Sequence, residues 1–155
     1  MCRGIPDRSG ATMRLTKHTD FGLRCLTFLA VHDEAPATVR DIAARIGIPE
    51  DHLFKVVGKL AQCGYVQTIR GRSGGVRLSR PAAEINIGQV VRDLEESLAL
   101  VACFDPDAEP CPIAPACVLA GTLDDALAAF FRVLDGVTLA TLAKPRRRLA
   151  VLMRE

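Results

Sequence analysis

The sequence predicts a mainly α protein: a winged helix-turn-helix domain, then a cysteine-bearing loop and a long dimerisation helix. Three observations carry that expectation. Three successive segments repeat apolar residues at helical spacing. An arginine-rich strand–turn–strand pattern follows them directly. A second apolar-striped stretch lies beyond a proline-rich segment that no helix can cross. With 155 residues, 49% of them apolar, the chain can bury one core and still carry an appendage.

Residues 1–12, MCRGIPDRSGAT, are polar and irregular and read as a loose tail without the apolar centre of a signal peptide. From Thr19 to about His32, TDFGLRCLTFLAVH is apolar nearly all round, as a buried helix is. In TVRDIAARIG, Val39, Ile42, Ala43 and Ile46 mark one helix face, with Thr38 as N-cap and Gly47 as stop. The turn GIPE leads to a third helix, with Pro49 suited to its first turn. Leu53, Val56, Val57 and Leu60 face inward there, and His52, Lys55, Lys59 and Gln62 face outward. Asp51, at the start of that helix, is read as a cap. Gly64 ends it.

YVQTIRGRSGGVRLSRP gives two short strands around a glycine-rich turn. Ile87, Val90, Val91 and Leu94 mark a fourth helix. Leu119, Leu123, Leu127, Phe130 and Leu134 stripe a last long one, and Ala126, Ala129 and Phe131 widen its apolar face. A dimer seam and ordinary packing within the chain both accommodate that width. The expected division is a tail over 1–12, the DNA-binding domain over 13–82, a loop and dimerisation helix over 83–142, and a basic solvated end over 143–155.

Net charge is only +2, but its distribution is uneven. Residues 65–80 hold four arginines (Arg70, Arg72, Arg77, Arg80) and no acid, whereas 84–109 hold seven acids against Arg92 alone. One part of the molecule therefore suits a polyanion and another repels it. Aromatics are only 5% of the chain, with one tyrosine and no tryptophan, which argues against a surface that binds single-stranded nucleic acid by stacking. In a winged helix-turn-helix the third helix enters the major groove, so the DNA-contacting set is His52, Lys55 and Lys59 with Arg70, Arg72, Ser73 and Arg77 of the hairpin. The same GRSGG lacks the spacing and the lysine of a nucleotide-binding P-loop. No apolar stretch spans a bilayer, and a cytoplasmic protein is expected.

Residues 103–117, CFDPDAEPCPIAPAC, crowd Cys103, Cys111 and Cys117 among prolines that stiffen the loop. The C-x7-C-x5-C spacing lacks the paired cysteines of a zinc site, and a disulfide would strand one thiol. An iron–sulfur cluster tolerates wider spacing, because its thiolates reach different irons. Spacing alone leaves cluster, zinc and unligated thiols open. A four-iron cube needs a ligand beyond three thiolates, and Asp20, His18, His32, His52 and the other cysteines are the candidates. Cys25 and Cys63 read as buried and inert. An acid in a first helical turn, as Asp20 is, also needs no metal to explain it.

MRLTKHTDFGLR at 13–24, RGRSGGVRLSRPAAEINIGQVVRDLE at 70–95 and the cysteine trio together resemble the Rrf-type family of winged-helix repressors, from Met13 to about Leu142. LALVACF, CPIAPACVL and VLDGVTLATL resemble its nitric-oxide-sensing branch. A further branch takes a histidine shortly after the third cysteine, and CVLAGTLDD has none. The resemblance implies a non-enzymatic homodimer on a palindromic double-stranded operator. It implies a 4Fe–4S cluster (2Fe–2S as the alternative) on Cys103, Cys111 and Cys117, with Asp20 of the partner subunit as fourth ligand and nitric oxide as signal. The seven-residue gap between Cys103 and Cys111 resembles an iron-responsive branch instead. An iron–sulfur or thiol redox protein is a third reading, with no Cys-x-x-Cys to support it.

Overall fold

The computed structural model describes residues 14–71, 74–105, 107–109 and 111–153. Helix α1 spans Lys17–Val31 and starts ahead of Thr19, because Thr16 is the cap: its hydroxyl accepts from the Thr19 amide at 3.2 Å. Thr19 itself is wholly buried. Helix α2, Val39–Ile46, opens on Thr38, whose hydroxyl accepts from the Asp41 amide, and closes on Gly47 at φ 66°. That left-handed conformation is cheap only for glycine.

Helix α3, Glu50–Gln62, begins after Pro49, and no side chain caps it. Asp51 is thus not the cap. It lies inside the first turn beside Glu50, where the two carboxylates meet the positive end of the helix dipole. Strands β1 (Val66–Ile69) and β2 (Gly75–Leu78) pair antiparallel, with Gln67 opposite Arg77. Ala37 stitches onto the free edge of β2 through two backbone hydrogen bonds with Val76, of 3.1 and 2.8 Å. Gly75 is required there, since a Cβ would come within 2.6 Å of the Ala37 carbonyl oxygen.

Helix α4, Ile87–Leu94, is capped by Asn86. Helices α5 (Val118–Asp135), α6 (Leu139–Leu142) and α7 (Arg146–Leu152) follow, with short 3-10 turns at Ala82–Glu84, Ala102–Phe104 and Ala114–Ala116. The core gathers Cys25, Leu26 and Leu29 of α1, Ile42 of α2, Leu53 and Leu60 of α3, Val76 of β2, Val90 of α4 and Leu139 of α6. The basic C-terminal end is not merely solvated. It carries α7, and Arg146 pairs with Asp33 just past α1 at 2.5 Å, which holds the Asp33 carboxyl below its ordinary range.

Gly22 is where α1, α3 and α4 meet: a Cβ on it would lie 2.5 Å from Leu94 Cδ1 and 3.7 Å from Val56 Cγ1. Overpacking a closed core costs about 1–3 kcal/mol, and alanine returns up to ~1 kcal/mol of helix propensity. Gly22→Ala is therefore expected to lower stability by about 1–2 kcal/mol in urea unfolding, where an unchanged midpoint would refute the contact.

Candidate nucleic-acid interface and cysteine loop

The outward face of α3 exposes His52, Lys55, Lys59 and Gln62. Among the described residues no carboxylate forms an ion pair with Lys55 or Lys59, so both ammonium groups are available to an outside anion. His52 turns toward α1, its ring meeting Phe21 edge to face at 6.2 Å. That contact fixes the flank of the recognition helix to the start of α1.

Arg70 and Arg77 are exposed on the hairpin, as expected. Arg72 and Ser73 lie outside the described residues. The hairpin does not hang free. Tyr65, just before β1, donates its hydroxyl hydrogen to Asp93 Oδ2 at 2.5 Å, and Gln89 Nε2 donates to Asp93 Oδ1 at 2.8 Å. Burial, then the hydrogen bond to Asp93, raises the Tyr65 pKa, which keeps the phenol protonated and donating. Arg80 lies 5.0 Å from the centre of the same ring. Its place in the acid-free block signalled it, yet it was not among the expected contacts. Exposed Phe54 was also not among them.

In the cysteine loop, Cys103 is exposed and Cys111 and Cys117 are half-buried, all as free thiols. The loop's backbone hydrogen bonds are local, as in Phe104 to Val101, Ala108 to Asp105, Ala114 to Cys111 and Cys117 to Ala114. Asp20 is in the first turn of α1 and pairs with Arg24 one turn on, at 2.6 Å. Among the described residues of one chain, no three His, Cys, Asp or Glu side chains are placed to hold a metal ion, so the chain alone does not gather the three thiols and Asp20. The donor chemistry still fits a cluster. Three soft thiols share one loop, and no long-range backbone bond among the described residues has to break for them to converge.

The other candidates separate cleanly. Cys25 is fully buried, and burial pushes its thiol up to about 12, so it supplies no thiolate. His32 stacks on Phe28 at 4.4 Å, with Nδ1 3.2 Å from the Phe28 carbonyl oxygen. Cys63 is half-buried at the end of α3.

Helix α5 joins the body through its C-terminal end. Arg92 of α4 forks onto Asp135 at 2.6 and 2.9 Å and covers the Phe131 ring at 4.0 Å, while Asn86 donates to the Asp135 carbonyl oxygen. Phe131 is its one buried residue among those described. Its far side leaves Val118 82%, Leu119 61% and Val133 70% exposed. Leu119, Thr122, Ala126, Ala129 and Val133 recur there at the 3-4-3-4 spacing of a helix–helix seam, with small residues in the middle.

A helix whose two lysines have no ion-pair partner among the described residues, and an arginine hairpin beside it, both locked to one core and followed by a thiol-bearing arm, define a winged-helix DNA-binding regulator. The family model for Rrf2, described as an iron-dependent transcriptional regulator, matches residues 15–145, and the chain belongs to that family of transcriptional regulators. It is 49% identical over 144 residues to the HTH-type transcriptional regulator NsrR of Geobacillus kaustophilus, covering 92% of this chain and 98% of the relative. It is 43% identical over 143 residues to NsrR of Bacillus subtilis, with coverage of 92% and 98%. Among solved structures, IscR of T. potens superposes with a TM-score of 0.70 at 27% identity, covering 86% of this chain and 88% of that one. CymR, the global cysteine regulator of B. subtilis, gives 0.69 at 27% identity, with 86% and 98% covered. No helix among the described residues is long and apolar enough to cross a membrane.

Proposed function

We propose that this chain is a homodimeric cytoplasmic repressor, without enzymatic activity, that releases a palindromic operator when nitric oxide reaches an iron–sulfur cluster. The observation that carries the reading is the trio of free thiols on the loop that leads into α5. Cys103, Cys111 and Cys117 would hold the cluster, 4Fe–4S by the count of ligands, with Asp20 of the partner subunit as the fourth. When bound, such a cluster supplies an iron that an oxygen donor holds less firmly than sulfur would, and a small diatomic ligand can compete there.

The chain's own residues do the rest. Residues 13–82 bind DNA, and 83–142 sense and pair. The start of α1 is tethered to the end of α4, where the Thr16 amide and hydroxyl reach Glu95 Oε1 at 2.8 and 3.1 Å. One residue beyond Asp20, Phe21 touches His52 of α3. A pull on Asp20 therefore reaches the recognition helix through one side-chain contact. In a dimer, two recognition helices must keep the spacing of two half-sites, about one helical turn or a multiple of it. A small rotation of α1 is enough to break that match.

The test uses iron-replete full-length protein, kept free of oxygen, and a duplex it selects from randomised DNA. Nitric oxide and an iron chelator are titrated separately against binding. Release at a few nitric oxide molecules per chain is expected, with at least a tenfold loss of affinity. Release by the chelator alone would favour the iron-responsive reading, which the seven-residue gap between Cys103 and Cys111 supports.

A further inference from the structure

Phe54 is the anomaly of the recognition helix. It is 56% exposed on α3, although Leu53, Val56, Val57 and Leu60 of the same helix are all buried in the adjoining core. A ring of this size gains nothing from water, and none of the aromatic contacts among the described residues includes it. Its neighbours give the reason a direction. Lys55 follows it, and Lys59 lies one turn further on. Gly58, also one turn on, is open: a Cβ there would meet nothing within 4 Å. An apolar ring next to a bare helix surface, with two ammonium groups along one side of it and the carboxylates of Glu50 and Asp51 one turn back, suits a groove walled by phosphates whose floor offers one apolar feature. In the major groove that feature is the C5-methyl group of thymine.

We infer that Phe54 reads a thymine methyl in each operator half-site, making it a specificity-determining residue. Lys55 and Lys59 hold the helix against the backbone, and the missing side chain at Gly58 lets the ring approach the base edges. This inference rests on the placement of α3 in the major groove. It adds sequence preference to a helix whose exposed lysines, Lys55 and Lys59, would bind any duplex through phosphate.

The test is again the full-length, iron-replete protein with a duplex it selects from randomised DNA. Thymines are replaced by deoxyuridine one symmetric pair at a time, which removes the methyl and leaves base pairing unchanged. Wild-type protein is expected to lose about fourfold in affinity per half-site at one pair, the worth of one buried methyl group. Phe54→Ala is expected to bind the thymine and deoxyuridine duplexes equally while keeping the wild-type salt slope. Its circular dichroism and melting should match the wild type, because the ring lies outside the core. Equal binding of both duplexes by wild-type protein at every pair would overturn the inference alone. So would an unchanged thymine preference in Phe54→Ala, or a change in its sedimentation, which would assign the ring to a protein contact. Failure of the wild-type protein to bind any duplex would overturn the interface itself and this reading with it.

Discussion

Cys111→Ser is expected to leave iron-replete protein, made without oxygen, with no visible absorption above the protein band, and to weaken operator binding by about tenfold to a hundredfold. Cys111 lies eight residues after Cys103 and six before Cys117, and the loop holds no further thiol to replace it. The other described cysteines lie outside the loop: Cys25 is sealed in the core as a thiol, and Cys63 is the C-cap of α3. Serine keeps the size of the side chain but exchanges a soft donor for a hard one, which lowers affinity for cluster iron. The loss of DNA affinity follows from coupling between the two sites, for which about 1–3 kcal/mol is typical. Absorption spectra and iron and sulfide analysis check the first half, and binding isotherms the second. A brown Cys111→Ser protein would remove the cysteine loop as the cluster site. A colourless wild type holding one zinc would remove the cluster.

Leu119→Glu combined with Val133→Glu is expected to convert a dimer into a folded monomer and to cost about a hundredfold or more in affinity for a palindrome. The two residues mark the ends of the seam on α5, and both are already exposed in the single chain, so the fold of one protomer loses nothing by the change. Two copies of the seam would bring four carboxylates together, against both hydrophobic burial and charge. Once the protomers part, the second half-site is no longer bound at the high local concentration that linkage provides, and such avidity is commonly worth about 10²–10⁴. Analytical ultracentrifugation reads the first effect and duplex titration the second. A variant that still sediments as a dimer would assign the seam to another role.

Much of this was legible from residue spacing. Apolar periodicity located α2, α3 and α4 because each faces the core on one side, and it located α5 although only Phe131 of that helix is buried among the described residues. Thr38 and Gly47 marked the ends of α2, since each residue has a specific physical use there. The start of α1 was missed by two residues. Thr16 and Thr19 are both competent caps, and the core claimed Thr19. Asp51 misled for a similar reason: an acid at a helix start serves as a cap or as a partner of the dipole, and only the backbone of Pro49 decides between them. The pairing of Arg146 with Asp33 joins residues 113 positions apart, and no local pattern announces such a contact. The exposed lysines of α3 and arginines of the hairpin could be read from charge, whereas the exposure of Phe54 could not, because its spacing does not distinguish a core edge from an exposed ring. Among the described residues, one chain does not bring the three thiols and Asp20 together.

Helix α5 is fastened at one end, where Arg92 grips Asp135 and covers Phe131. At 1.5 Å per residue the helix is about 27 Å long, and Cys117 stands at its opposite tip. It stands on the body as an arm with its foot at α4, and a tilt of about 10° at the foot would carry the tip about 5 Å. By the same geometry, a few ångströms of travel at the thiols would reach α4 as a rotation of a few degrees.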